Sequence, residues 1–194
     1  MINLKKFCDE MRNGVETPRK SNGNIYATDG RIMIVCAETL FPKLDNLLEA
    51  PQLWIGLYKN LPQTDFEPVN ATEIEALLKT VVPEKEAIFE KIKCTECEGK
   101  GEVECECECG DEHEKTCVQC QGKGYIDGKQ IGAELKDTPV KIKNTPLNYK
   151  YLVLLLEVMK EGGEWVMRLE SLAPCVFKTE GITIIVMTMR EKNK

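Results

Sequence analysis

The residues with the clearest chemistry lie between Cys94 and Gly124, a segment that holds seven of the ten cysteines and the only histidine of the 194-residue chain. Its two ends repeat the pattern Cys-x-x-Cys-x-Gly-x-Gly, once from Cys94 and once from Cys117. Two Cys-x-x-Cys turns can bring four thiolates together, and a tetrahedral Zn²⁺ ion takes four such ligands at about 2.3 Å. The glycines permit the sharp turns and close backbone approaches that wrapping a metal requires. The pattern predicts a Zn²⁺ site with the ligands Cys94, Cys97, Cys117 and Cys120.

A second group of metal-binding residue types lies between these turns and comprises Cys105, Cys107, Cys109 and His113. Their C-x-C and C-x₃-H spacings can supply a second tetrahedral site. The alternative is that only two or three of them bind metal, or that they are thiols without a metal in a loop. The sequence leaves both open, so one Zn²⁺ is expected and a second depends on this inner set. For the outer four, reduced surface thiols or redox disulfides are the alternative, which the matched glycines disfavour.

Composition indicates a protein that folds in water. The chain is 42% hydrophobic and 30% charged, with a net charge of −6, and its apolar runs are too short to cross a bilayer. The first residues lack the apolar core of a secretory signal. We expect a cytoplasmic protein without a membrane partner. In that reducing compartment, clustered cysteines bind metal more often than they form disulfides.

Nothing in the sequence favours catalysis, so we expect the protein not to be an enzyme. The phosphate-binding loop, the H-E-x-x-H helix and the G-x-S-x-G turn are all missing from the sequence. A catalytic zinc keeps one coordination position open, whereas a Cys₄ site is closed. The three cysteines outside the segment, Cys8, Cys36 and Cys175, lie in apolar runs and are predicted to be buried core thiols.

Hydrophobic spacing predicts an α+β fold that contains an internal repeat. Helices are predicted over 3–12, 71–80, 84–93 and 149–160, and strands over 25–35, 53–58, 140–143, 164–170 and 175–187. Both ends of the chain run from a helix into strands that are joined by a tight turn, Thr28-Asp29-Gly30 in one case and Thr179-Glu180-Gly181 in the other. We therefore expect residues 1–90 and 131–194 to form one domain into which a module, residues 91–130, is inserted.

The flanking segments resemble the bacterial DNA sliding clamp. The resemblance is carried by Ala27–Arg31, by Leu147–Met159, by Val166–Glu170 and by Ile184–Arg190, which is similar to the Met-Pro-Met-Arg-like end of that family. It implies a clamp-like domain of two helix-plus-antiparallel-strands repeats. It also implies that Met187 and Met189 help to bind partner peptides, although packing within a strand is the simpler interpretation of both.

Two departures from the clamp pattern bear on function. Thr188 stands where the family has proline, and the helices offer few lysines and arginines to DNA. Because a clamp ring needs several such domains, a ring would require the chain to associate with itself.

The cysteine segment resembles the zinc domain of DnaJ-type co-chaperones, which is built from Cys-x-x-Cys-x-Gly-x-Gly repeats. That resemblance implies metal binding through the outer repeats, while the inner repeats depart from the family. A J domain is not expected, because Glu114 follows the only histidine, His113, where such a domain needs His-Pro-Asp.

Together these features predict a non-enzymatic zinc-binding protein that acts as a sliding-clamp-related accessory or adaptor in DNA transactions, such as DNA replication. Protein partners are expected, and DNA would bind through the clamp-like domain, because the acidic run at 96–114 repels phosphates. Alternatively, the zinc module binds polypeptides in the manner of a chaperone and the clamp-like part is only a scaffold. A thiol–disulfide enzyme that uses the Cys-x-x-Cys pairs is a further alternative.

Overall fold

The structure is a computed structural model that describes residues 2–44, 46–106, 112–170 and 173–189, with the backbone alone for 105–106 and 112–113. The chain divides into two compact units. We call residues 1–83 with 137–194 the sheet unit, and residues 84–136 the cysteine unit. The expected assignment of these parts as a clamp-like domain and an inserted module stays a prediction.

Helices and strands are mixed along the described chain, and the predicted α+β class is confirmed. Helices α1, α2 and α3 span Gln52–Lys59, Ala71–Lys79 and Tyr149–Met159, and 3₁₀ turns cover Leu4–Phe7 and Glu38–Leu40. The strands, in chain order, are β1 Arg19–Ser21, β2 Asn24–Thr28, β3 Ile32–Ala37, β4 Glu67–Val69, β5 Lys85–Lys93, β6 Glu102–Glu106, β7 Glu112–Thr116, β8 Tyr125–Leu135, β9 Pro139–Ile142, β10 Thr145–Asn148, β11 Trp165–Arg168, β12 Cys175–Thr179 and β13 Ile182–Val186.

One antiparallel sheet organises the sheet unit, with the strand order β1-β2-β3-β13-β12-β11-β4. Its central pair joins the two ends of the chain, since β3 pairs with β13 and Ile34 lies opposite Ile184. Outward from this pair, β2 corresponds to β12 and β1 to β11. The predicted internal repeat is therefore visible as two corresponding sets of three strands, with β4 added at the edge beside β11.

Both faces of this sheet are buried, which explains why its strands are apolar without alternation. One face places Ile34, Phe177 and Ile184 against α2, α3 and the first 3₁₀ turn. The other face places Val35 and Ile185 against α1. Because successive side chains of a strand point to opposite faces, consecutive apolar residues supply two cores at once.

The helices that cover the first face begin at side-chain caps. The Asn70 side chain accepts a hydrogen bond from the Glu73 N–H at 2.9 Å, and the Glu73 carboxylate accepts one from the Asn70 N–H, so α2 starts with a capping box. Asn148 caps α3 in the same way by accepting from the Lys150 N–H at 3.0 Å. The predicted positions of α2 and α3 are confirmed.

Two predicted elements have the wrong type. Residues 52–59 form a helix and not a strand, because Trp54 and Ile55 face the sheet while Leu53 is 80% exposed. Short apolar runs of this kind fit either periodicity. Residues 85–93 form strand β5 and not a helix, because they pair with β8 along most of their length, with two register shifts between Ile88 and Lys91. That partner lies more than thirty residues further along the chain, so the local sequence does not reveal it.

The predicted N-terminal helix over 3–12 is also shorter than expected. Only Leu4–Phe7 is helical, as a 3₁₀ turn, and Met11 is 94% exposed. The Asp9 carboxylate accepts a hydrogen bond from the Met11 N–H at 3.0 Å. Such a local bond from an aspartate side chain competes with helix formation.

The cysteine unit consists mainly of two-stranded antiparallel ribbons. Strands β5 and β8 form a long antiparallel ribbon, and β6 and β7 form a hairpin. Among its described side chains, the buried residues are the four outer cysteines, Gly101 and Gly124. This part of the chain therefore has little hydrophobic core of its own.

No helix in the described part of the chain has both the length and the hydropathy that crossing a bilayer would take.

The packing predicts very different effects for two leucines on helices of the sheet unit. Leu152 on α3 is fully buried, so Leu152→Ala should lower the free energy of unfolding by about 2–5 kcal/mol. Leu53→Ala on the exposed side of α1 should change it by less than about 0.5 kcal/mol. Urea denaturation of both variants measures the difference, and similar losses in the two would contradict the assignment of 52–59 as a helix.

Candidate metal centre

The four outer cysteines converge at the turns that follow β5 and β7. All four are buried, and their sulfur atoms lie within 4.8 Å of one another. The Cys94 and Cys117 sulfurs are 3.7 Å apart, and those of Cys97 and Cys120 are 3.6 Å apart. Four sulfurs bound to one tetrahedral ion at about 2.3 Å would be separated by about 3.8 Å. The arrangement therefore fits one metal ion.

The two Cys-x-x-Cys-x-Gly-x-Gly segments have the same backbone conformation. Gly101 donates its N–H to the Cys97 sulfur at 3.2 Å, and Gly124 donates to the Cys120 sulfur at the same distance. The glycines two positions earlier also match, since Gly99 and Gly122 both have a φ of 82°. Each loop thus presents two sulfurs and directs a backbone donor at one of them.

Glycine is required where the two loops touch. A side chain at Gly101 would collide with the carbonyl oxygen of Gly122, and one at Gly124 would collide with that of Gly99. Backbone bonds join the same loops, since the Cys94 N–H donates to the Gly124 carbonyl at 3.0 Å. The glycines of the motif therefore allow the two halves of the site to close on each other.

Two further residues, which the sequence analysis did not single out, surround the sulfurs. The Glu96 carboxylate accepts from the Gln119 N–H at 3.2 Å and from the Cys117 thiol at 3.4 Å. The Gln119 side-chain oxygen accepts from the Glu96 N–H at 3.3 Å and from the Cys94 thiol at 2.9 Å. Both occupy the same position of the repeat, directly before the second cysteine. That shared position was the available sequence signal.

The thiols differ in how readily they ionise. Burial opposes ionisation of Cys97, but the Gly101 N–H and the neighbouring thiols outweigh it and lower its pKa. Burial raises the pKa of Cys117, and the Glu96 carboxylate raises it further. Since a metal binds thiolates, metal binding must displace the thiol protons.

The chemistry of this donor set is that of a closed site. Four sulfur ligands fill a tetrahedral ion and leave no position for water or substrate. Backbone N–H donors to sulfur, as from Gly101 and Gly124, stabilise the negative charge of thiolates. The residues present therefore fit a structural metal ion, and a soft tetrahedral set favours Zn²⁺ or iron.

The inner set is only partly described. Cys105 and His113 are paired across the β6–β7 hairpin, so their backbones are adjacent. Cys107 and Cys109 lie outside the described residues, and the side chains of the other two are not described. A second zinc site stays a prediction.

The remaining candidates lie in the sheet unit. Cys36 and Cys175 are fully buried and Cys8 is partly buried, and burial raises the pKa of all three thiols. The N–H of Met187 donates to the Arg31 carbonyl at 2.8 Å. The N–H of Met189 donates to the Pro146 carbonyl at 2.9 Å. The role of Met187 and Met189 in partner binding stays a prediction.

No protein-family model matches this sequence, and no curated protein matches it significantly. Similar solved structures are bacterial sliding clamps. The chain is similar to the sliding clamp of Bartonella birtlesii, DNA polymerase III subunit beta, at 12% identity and a TM-score of 0.40 over 96% of this chain and 63% of that one. The chain is also similar to Caulobacter crescentus pol III beta, with 10% identity and a TM-score of 0.43 over 96% of this chain and 62% of that one. For the Borrelia burgdorferi DNA polymerase III subunit beta, the identity is 14% and the TM-score is 0.44 over 95% of this chain and 58% of that one.

This chain spans about three fifths of the length of the clamps it matches.

Two glycine variants test the geometry of the site. Gly101 and Gly122 have similar φ values, 85° and 82°, so alanine at either adds backbone strain of about 1 kcal/mol. Only Gly101→Ala also places a methyl group against a backbone carbonyl, while in Gly122→Ala the methyl would meet the Thr116 side chain at 3.2 Å. Gly101→Ala should therefore lose more bound metal on heating than Gly122→Ala, as measured by metal analysis after gel filtration. Equal losses would show that the two loops do not close in this way.

Proposed function

We propose that the chain is a non-enzymatic protein that binds one structural Zn²⁺ through Cys94, Cys97, Cys117 and Cys120. The observation that carries this proposal is the buried cluster of four sulfurs within 4.8 Å. The two backbone N–H groups directed at sulfur support it, because a cluster of unmodified thiols has no need of them. A cluster of several iron atoms would hold its thiolates farther apart than one shared ion does, which favours a single ion.

The metal in this proposal takes the place of a hydrophobic core in the cysteine unit. The unit has long ribbons but few buried side chains among those described, so its turns need another constraint. A structural Zn²⁺ contributes its binding free energy directly to folding. The ion holds the two Cys-x-x-Cys loops together and thereby fixes the ends of β5 and β8.

The sheet unit, in this proposal, is a clamp-like adaptor that binds other proteins in DNA transactions in the cytoplasm. The correspondence of β1-β2-β3 with β11-β12-β13 supports a clamp-like repeat, as does the Ala27–Arg31 hairpin of the sequence. Three lysines, one in the first 3₁₀ turn and two at the ends of α3, pair with carboxylates. These pairs are Lys6 with Glu157 at 2.6 Å, Lys150 with Asp29 at 3.8 Å and Lys160 with Glu75 at 3.2 Å. Such pairing favours protein partners over DNA.

A second candidate function is polypeptide binding by the cysteine unit. Its ribbon exposes apolar side chains that a folded core would normally bury, at Ile88, Phe89, Ile92 and Ile131. Exposed apolar groups of this kind suit a surface that binds unfolded chains. This candidate predicts suppression of aggregation of a model substrate protein, which an adaptor need not show.

Metal removal tests the structural role of the ion. Chelation should abolish the folded signals of residues 84–136 and leave those of the sheet unit largely intact, because the large core lies in the sheet unit. Hydrogen exchange read by mass spectrometry resolves the two regions, and metal analysis counts the zinc. Loss of protection throughout the chain would contradict a locally acting ion, and a protein purified without metal that is equally protected would contradict the zinc proposal.

Solution measurements test the adaptor role. We expect weak DNA binding that disappears at moderate salt, since the net charge is −6 and the named lysines are paired. Sedimentation of the zinc-loaded protein, alone and with duplex DNA, gives both its mass and its DNA affinity. A ring-sized oligomer that binds DNA at physiological salt would contradict the adaptor role and indicate a clamp that encircles DNA.

A further inference from the structure

The two Cys-x-x-Cys loops are equivalent in backbone but differ in charge at one position. Glu96 and Gln119 each reach across to the opposite loop, where the Glu96 carboxylate lies 3.4 Å from the Cys117 sulfur and the Gln119 oxygen lies 2.9 Å from the Cys94 sulfur. Each also accepts a backbone N–H from the other residue. The site therefore contains the same contact twice, once with a carboxylate and once with an amide.

The two contacts respond differently when a metal replaces the thiol protons. A protonated thiol can donate to either oxygen, so both contacts are favourable without metal. A metal-bound thiolate has no proton to donate and needs a donor in return. The Gln119 amide can turn its NH₂ group toward the Cys94 thiolate, at the cost of the bond that the same oxygen accepts from the Glu96 N–H. An ionised Glu96 has only acceptors to offer to Cys117. The contact that stabilises the metal-free site thus becomes a repulsion between two negative groups.

We propose that Glu96 weakens metal binding at the outer four cysteines and makes the ion exchangeable, whereas Gln119 supports it. This inference rests on the proposed zinc binding. Residues that contact metal ligands commonly change affinity by about 10–100-fold. Bound Zn²⁺ with four thiolates carries a net charge of −2, so Glu96 adds a third negative charge beside the site.

The described side chains of the cleft beside Glu96 are mostly acidic. Glu96 and Cys97 line an open cleft of about 380 Å³ whose other charged side chains are Glu98, Lys100, Glu102, Glu104 and Glu114. With one lysine against four further glutamates, this cleft adds to the negative potential at the Glu96 carboxylate. The same potential raises the local concentration of cations beside Cys97.

Four variants of the full-length chain separate this specific contact from net charge. Glu96→Gln removes the negative charge and offers an amide, either as an acceptor for the Gln119 N–H or as a donor to the Cys117 thiolate, at the position where one carboxylate oxygen now contacts both. Gln119→Glu places a carboxylate against Cys94 instead. The double variant Glu96→Gln with Gln119→Glu restores one carboxylate and one amide at exchanged positions. Glu98→Gln is the matched control, because it removes the same charge from the same cleft without a described contact to a thiol.

Zn²⁺ affinity is measured at neutral pH by competition with a chromophoric chelator, and the rate of transfer to that chelator gives the exchange rate. We expect Glu96→Gln to bind Zn²⁺ about tenfold more tightly and to release it more slowly, and Gln119→Glu to bind about tenfold more weakly. The double variant should return close to the original affinity. Glu98→Gln should change it by about twofold at most, because an exposed charge away from the sulfurs is screened by solvent.

The outcomes distinguish this inference from the zinc proposal. If the unaltered protein binds no Zn²⁺, both are wrong. If it binds Zn²⁺ but Glu96→Gln leaves affinity unchanged or weaker, the role of Glu96 alone is wrong. An equal gain in Glu98→Gln would also overturn it, since net charge would then explain the effect. If Glu96→Gln does not fold, Gln119→Glu tests the same contact from the other loop, and an unchanged affinity there would contradict the proposal.

Discussion

Four buried sulfur atoms organise residues 84–136 where a hydrophobic core would otherwise do so. Among the described side chains of this segment, the buried positions are occupied by cysteine and glycine, and only Val103 and Ile126 pack partly against the sulfurs. Ribbons of two strands are marginally stable in water without additional packing. The sulfurs and the backbone bonds around them therefore determine where β5 and β7 end and where β6 and β8 begin. The proposed metal ion, the importance of Gly101 and the effect of Glu96 all depend on this constraint.

The sheet unit is organised by a different contact, the pairing of β3 with β13. It joins strands from the two ends of the chain and lies at the centre of a sheet with a helical layer on each face. Because β3 and β13 are far apart in the sequence, the chain between them, including the cysteine unit, must leave and return without breaking their pairing. The ribbon of β5 and β8 achieves this, since Lys85 lies opposite Leu135 and the Lys136 N–H donates to the Glu84 carbonyl at 2.9 Å. The chain enters and leaves the cysteine unit at adjacent points, which is the geometry that an insertion needs.

Much of the fold could be predicted because its signals are local. Asn70 with Glu73 forms a capping box, Asp29-Gly30 forms a hairpin turn, and the apolar run of α3 is long enough to indicate a buried helix. Two of the three errors arose where a distant partner decides the structure. Residues 85–93 have charged and apolar residues that suit a helix, but β8 supplies backbone partners along most of the segment. Residues 52–59 suit a strand by composition, but the buried face of the sheet accepts Trp54 and Ile55 on one side of a helix.

The sequence by itself determined the four metal-binding candidates, because the spacing Cys-x-x-Cys-x-Gly-x-Gly specifies a loop whose two sulfurs and glycine N–H groups have a fixed relation. It also determined the α+β class, through caps, turns and periodicity. Only the tertiary structure decided that the two loops face each other with their sulfurs within 4.8 Å. It also decided that Glu96 lies beside Cys117 while Gln119 lies beside Cys94. These contacts join residues more than twenty positions apart. They depend on how β5–β8 and β6–β7 pair, which no local pattern encodes.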